Sequence, residues 1–157
     1  MSNQNETLHL FRASYLISNH LHGGVSFKME LIIDSKTNKV VGIGQINQAT
    51  NPIKVIATQL NGDYSYMCTN NSCNILLVAE GVSPFHPLIH GIPQNYKNVS
   101  LRMSLQEDWK SGTATYKFLY DGEWIDSGYQ KVTLIENESP NLKQLTASLK
   151  KEEQPVY

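Results

Sequence analysis

Apolar and polar residues alternate one by one along most of this chain, and clusters of turn residues interrupt the alternation at short intervals. Phe27, Met29, Leu31 and Ile33 fall on one side, with Lys28, Glu30 and Asp34 on the other, before the run ends in Ser35-Lys36-Thr37-Asn38. A period of two puts every second side chain on the same face of an extended strand, so each such segment buries one face and wets the other. The device returns in Val99, Leu101, Met103 and Leu105, then in Ala114, Tyr116, Phe118 and Tyr120. The expected fold is mainly β: a strongly twisted antiparallel sheet or partly closed barrel of about eight or nine strands, with one C-terminal helix.

Read in order, strands are expected over about 7–18, 25–33, 39–47, 53–60, 63–69 and 73–80. Asn61-Gly62 supplies a hairpin turn between the fourth and fifth, because both residue types tolerate positive φ. Gly42 and Gly44 share a face and remove two side chains from one patch, which permits a tight bend or a close approach. The continuous run Ile75-Leu76-Leu77-Val78 predicts a strand covered on both faces. Near the end, Asp121-Gly122 turns the chain, Trp124 opens a last strand, and Asp126-Ser127-Gly128 predicts a bulge or turn within it.

The length of 157 residues suits one domain, 1–157, with the sheet over 7–135, a helix over 139–151 and flexible ends at 1–6 and 152–157. Hydrophobic residues make up 40% and charged ones 17%, a globular balance rather than a disordered one. Thirteen Lys and Arg face fourteen Asp and Glu, so no global field exists to draw nucleic acid or an acidic membrane. The polar opening Met1 to Thr7 lacks a signal core and no apolar run is long enough for a spanning helix, which predicts a cytoplasmic protein that neither enters a membrane nor binds nucleic acid.

Two segments break the β rhythm. Residues 81–98 hold Pro84, Pro87 and Pro93 and should not form a regular strand, yet they also carry Phe85, Leu88, Ile89, Ile92 and Tyr96. This connection either packs across the end of the sheet or presents an apolar partner surface through Phe85, Leu88, Ile89 and Tyr96. Ser139-Pro140 then starts a helix whose Leu142, Leu145 and Leu149 form an i, i+3, i+7 stripe. That stripe must bury against its own sheet or a second copy, and the latter makes it an oligomer contact.

Chemistry-bearing patterns are sparse. Cys68 and Cys73 flank a four-residue loop that sets them opposite each other, so a disulfide is geometrically allowed, although a cytoplasmic pair is expected to stay reduced. No second pair exists to complete a zinc site. His86 and His90 have a chelating spacing only on a helix, which Pro87 opposes, and His20 and His22 sit at a turn; neither pair is assigned a metal. No Gly-x-Ser-x-Gly elbow, phosphate loop or dinucleotide fingerprint is present. No catalytic, cofactor or metal residue is therefore assigned, and the chain is expected not to be an enzyme.

The stretch 27–66, with Lys39-Val40-Val41-Gly42-Ile43-Gly44-Gln45-Ile46 and Gln48-Ala49-Thr50-Asn51-Pro52, resembles a family of small conserved hypothetical bacterial proteins that includes proteins of Vibrio genomic islands. That family is similar in fold to the mitochondrial matrix acidic protein family, also called the mitochondrial glycoprotein family. The resemblance implies a twisted antiparallel sheet flanked by terminal helices, an oligomer, and action through protein contacts. This chain departs from the mitochondrial proteins in being nearly neutral and in lacking an N-terminal helix. The expected function is a non-enzymatic protein-binding or structural module acting as a homo-oligomer without cofactors. The alternatives are a carrier of a small apolar ligand inside an up-and-down barrel, and an enzyme of unknown class.

Overall fold

The computed structural model describes residues 9–85, 88–89, 92–93 and 96–135, of which 88–89 and 92–93 are described by backbone alone. Eleven strands follow one another: β1 (Leu10–Ser18), β2 (Val25–Asp34), β3 (Lys39–Gln48), β4 (Lys54–Cys68), β5 (Cys73–Val82), β6 (Leu88–Ile89), β7 (Ile92–Pro93), β8 (Lys97–Gln106), β9 (Ser111–Tyr120), β10 (Glu123–Asp126) and β11 (Gln130–Leu134). Eight of them form one antiparallel ring in the order β1-β2-β3-β4-β5-β8-β9-β11, and β11 returns to β1 through Tyr15 opposite Leu134 and Ser18 opposite Lys131. The sheet thus closes into an up-and-down barrel, which removes most of the exposed edges that an open sheet would leave.

β10 and β11 are two parts of one stave broken by residues 127–129. Asp126 pairs with Lys117 and Gln130 with Ala114, so three residues on this stave oppose two on β9. The backbone N–H of Ser127 donates to the Tyr116 carbonyl at 2.9 Å, and the Ser127 hydroxyl accepts from the Tyr116 N–H at 3.0 Å. This is the bulge that Asp126-Ser127-Gly128 predicts, with Gly128 at a φ of +68°. Past the bulge, β10 keeps one side on β9 and leaves its other side unpaired within the sheet order.

Alternation works as the sequence pattern requires. Phe27, Met29, Leu31 and Ile33 are buried inside the barrel, as are Val99, Leu101, Met103 and Leu105. Beside them on the neighbouring strands Tyr15, Ile17, Tyr116 and Phe118 are buried too, with Phe27 and Tyr116 meeting edge to face at 5.0 Å between ring centres. Gly44 belongs to this packing: a Cβ there would run into the Phe27 ring, so its missing side chain is what lets that ring lie against β3. Buried apolar side chains from all eight staves point into the interior.

Antiparallel order sorts the connections between two ends. The turns 35–38, 69–72 and 107–110 lie at one end, and the connections 19–24, 49–53, 83–96 and 121–122 lie at the other. The first end is plugged by Trp109, whose side chain is fully buried in the turn between β8 and β9. Its ring meets Tyr64 edge to face at 5.2 Å, and its carbonyl accepts the Tyr15 hydroxyl at 2.8 Å.

The structure revises three sequence expectations. Asn61-Gly62 is no turn: β4 runs unbroken for fifteen residues, and neither residue has a positive φ. Val41 and Val40 pair with Asn61 and Gly62 on one side, while Glu80 and Ala79 pair with them on the other. Two continuous neighbours outvote a local turn signal, and Gly62 serves close approach instead, since a Cβ there would strike the Val78 carbonyl. The apolar run in β5 is buried on one face only, with Leu77 and Ala79 inside and Leu76 and Val78 exposed. On β1 the core face is Phe11, Ala13, Tyr15 and Ile17, and Leu10 points outward at 52% exposure. Residues 81–98 are not wholly irregular: β6 and β7 pair as a separate two-stranded ladder. The expected helix over 139–151, with Leu142, Leu145 and Leu149, lies outside the described residues.

Candidate functional site

Of the fourteen large apolar side chains exposed among the described residues, eight stand on the outer faces and ends of β1 to β5 and six lie together at one end of the barrel. Leu21, Ile53, Phe85, Tyr96, Trp124 and Tyr129 are all exposed, and all belong to the connections, strand β10 or bulge at the end opposite Trp109. Each position follows from a local cause. Leu21 rides the β1–β2 turn, where His20 takes a φ of 58° and Gly23 one of 70°. Ile53 follows Pro52 in the β3–β4 turn. Tyr129 stands on the bulge, which Asn19 ties down by donating to its carbonyl at 3.1 Å. Phe85 and Tyr96 flank the β6–β7 ladder, where the Ser83 N–H donates to the Tyr96 carbonyl at 3.2 Å and extends the β5–β8 pairing outward.

Beneath this rim the barrel is closed by a hydrogen-bonded polar layer. The Thr58 hydroxyl donates to Asn98 Oδ1 at 2.7 Å, and Asn98 Nδ2 donates to the Ala57 carbonyl at 2.9 Å. On the opposite wall the Tyr116 hydroxyl donates to Gln130 Oε1 at 2.9 Å, while Gln130 Nε2 donates to the Val25 carbonyl at 3.0 Å. Buried polar groups bonded to one another and to the backbone hold the mouth in one arrangement. Val25, Tyr120 and Ile125 pack against the core at the same level. Burial raises the Tyr116 hydroxyl pKa well above the ordinary tyrosine range. Tyr15 is raised more, by burial and then by the charge of Asp108. Both are therefore neutral hydrogen-bond donors rather than proton-transfer groups.

Two grooves mark the outside of the barrel. One, of about 460 Å³, has Ile43, Ala57 and Pro84 on its walls with Lys28, Glu30 and Gln59 around them. The other, of about 380 Å³, lies over β8 and β9 beside the bulge.

Of the partner residues expected from sequence, Phe85 is 74% exposed and Tyr96 is also exposed. Leu88 and Ile89 are placed by backbone in β6, and their side chains lie outside the described residues. The sequence reading did not single out Leu21, Ile53, Trp124 or Tyr129 for this surface, because single apolar residues in turns carry no pattern. Only closure of the barrel assigns them to the same end. His86 and His90 lie outside the described residues, and His20 and His22 are exposed at their turn. Among the described residues no group of three His, Cys, Asp or Glu side chains is placed to hold a metal ion.

Cys68 and Cys73 face each other as a cross-strand pair with their sulfurs at disulfide distance. The hairpin brings their Cα atoms to 4.0 Å. On the same end of the barrel, His9 and Asp34 make a 3.1 Å contact. Desolvation, the largest single effect, pushes the Asp34 carboxyl up, but the Lys36 backbone N–H, His9 and Thr37 together outweigh it and lower its pKa. No helix among the described residues is long and apolar enough to cross a membrane.

A family model described as a domain of unknown function, DUF1842, matches residues 8–124, and the chain belongs to that family. The match ends inside β10, ahead of the bulge and of the strand that closes the ring. No curated protein matches the chain.

Proposed function

We propose that this DUF1842 family member is a non-catalytic binding module that assembles with a second copy of itself through the loop end of the barrel. The observation that carries this reading is the contrast between apolar side chains buried in the interior and a rim where Leu21, Ile53, Phe85, Tyr96, Trp124 and Tyr129 stay exposed. Large apolar groups gathered at one place in a folded protein mark a contact surface. Allowing for their partial burial, these six offer roughly 600–700 Å² per copy, close to the ~800 Å² that a standard interface buries on each side. With a net charge of −1, two copies meet without strong repulsion, and a two-fold contact needs only a self-complementary patch.

The free side of β10 is a poorer candidate for this contact. Antiparallel self-pairing about Trp124 and Ile125 would set Glu123 against Asp126, and like charges opposite each other disfavour strand addition. The Leu142, Leu145 and Leu149 stripe offers a second apolar surface for the oligomer. The resemblance to small bacterial proteins and to the mitochondrial matrix acidic family implies the same contact-based action. Near-neutral charge supports a partner that is neither nucleic acid nor a membrane. A carrier of apolar molecules would use the 460 Å³ outer groove, since Tyr15, Phe27, Tyr116 and Phe118 are buried in the interior. A cytoplasmic location would keep Cys68 and Cys73 reduced, so the redox state of that pair in the cell reports the compartment.

Light scattering of the full chain during size exclusion tests the reading. A dimer that becomes a monomer in a Phe85→Ser, Trp124→Ser double variant supports it, and removal of residues 136–157 separates the leucine stripe from the rim. An intact chain that stays monomeric at about 100 μM contradicts it.

A further inference from the structure

The groove beside the bulge carries charges that the fold itself leaves unused. Ser100 and Arg102 stand on β8, and Thr115 and Lys117 on β9, with Arg102 opposite Thr115 and Ser100 opposite Lys117. Arg102 and Lys117 are therefore diagonal neighbours on one face, about 7–8 Å apart at the backbone. Among the described residues neither makes an ion pair or a side-chain hydrogen bond, although Asp126 is the cross-strand partner of Lys117. Two cations side by side on a sheet repel each other unless an anion sits between them.

The opposite wall has a different chemistry. Asp126 Oδ1 accepts from the Gly128 N–H at 2.9 Å and from the Thr115 hydroxyl at 3.4 Å. Among the described residues its Oδ2 takes no hydrogen bond, which leaves an acceptor facing the groove. Tyr129 completes the lining and is 79% exposed; it also stands on the rim proposed to meet a second copy, so a bound ligand and self-association compete for it. Its backbone is fixed by Asn19 and by Gly128 at positive φ, so an aromatic face is held out at low cost in entropy.

We propose that this groove binds an acidic sugar, a hexuronate unit. The Arg102 guanidinium holds the carboxylate through its planar fork, and Lys117 adds a point charge. Ring hydroxyls donate to Asp126 and exchange hydrogen bonds with Ser100 and Thr115, while the C–H face of the sugar lies on Tyr129. The combination selects the class. A bare phosphate would meet repulsion from Asp126 and leave Tyr129 idle, and a neutral sugar would leave both cations unpaired. A groove of 380 Å³ accommodates one pyranose ring with its water.

The test is a two-dimensional amide NMR titration of the full chain with D-glucuronate, compared with D-glucose, acetate and inorganic phosphate. The expected result is saturable shifts of the Arg102, Thr115, Lys117 and Tyr129 amides with a Kd on the order of 1 mM. Glucose, acetate and phosphate should each bind at least tenfold more weakly. Arg102→Ala and Tyr129→Ala should each weaken glucuronate at least tenfold; Arg102 lies outside the proposed contact between copies, so Arg102→Ala should leave the amide pattern elsewhere unchanged. The proposal is overturned by the absence of saturable shifts at these amides, by acetate or phosphate matching glucuronate, by glucose matching it, or by unchanged affinity in either variant.

Discussion

Replacing Trp109 with alanine removes the plug from the end of the barrel opposite the rim. The indole is fully buried and meets Tyr64 edge to face. Truncating a buried tryptophan to alanine costs about 3–5 kcal/mol, and this figure already contains the lost aromatic pair of about 0.5–1.5 kcal/mol. Against a total stability of about 5–15 kcal/mol, the variant sits near the edge of folding. Trp109→Phe is the informative partner. It gives up roughly 40 Å² of buried area, about 1 kcal/mol. It also removes an indole Nε1–H that is buried without a hydrogen-bond acceptor among the described residues, a burden of about 1–3 kcal/mol. The phenylalanine variant should therefore fall within about 1 kcal/mol of the parent. Urea unfolding followed by circular dichroism, with linear extrapolation, reads both values. The reasoning fails if the alanine variant loses less than about 1.5 kcal/mol, or if the phenylalanine variant loses as much as the alanine one.

Asn61→Val tests the unbroken β4: a valine on the wet face of a strand interior should be neutral or stabilising within about 0.5 kcal/mol, whereas a turn at that position would make it clearly destabilising. Tyr15 and Tyr116 have pKa values raised above the ordinary 10.0, so folding favours their protonated form. The stability they contribute is complete below pH 10 and is lost as pH rises beyond it; an absorbance titration should show Tyr15 and Tyr116 ionising only with unfolding, and ionisation of either in the folded protein near pH 10 would refute this. Joining Cys68 to Cys73 closes a short loop, so a Cys68→Ser, Cys73→Ser double variant should lose about 2 kcal/mol in urea melts. Reductant should lower the parent by the same amount and leave the variant unmoved.

Much of this architecture is written in the alternation of β2, β8 and β9, where a period of two assigns inward and outward faces without further information. The bulge after Asp126 was legible for a similar reason, because Ser127-Gly128 breaks the period inside a strand. Asn61-Gly62 misleads because turn propensity is local, while the pairing of β4 with β3 and β5 acts along its whole length. Leu76 and Val78 look like a doubly covered strand because composition does not reveal which face meets water. Trp109 gave no periodic signal at all: it lies in a short turn, and only the convergence of Tyr15 and Tyr64 on that turn makes it core. The candidate sites were the least legible part. Residues of the rim come from three separate connections, strand β10 and the bulge, and the groove at Arg102 joins β8, β9 and the bulge, so both exist only once the ring has closed.

Native mass spectrometry of the full chain, purified without denaturation, tests the central claim most directly because one spectrum reports stoichiometry and any retained molecule. The account predicts an assembly of two or more copies whose mass is that of the chains alone. A monomer carrying the added mass of a bound apolar molecule would contradict it.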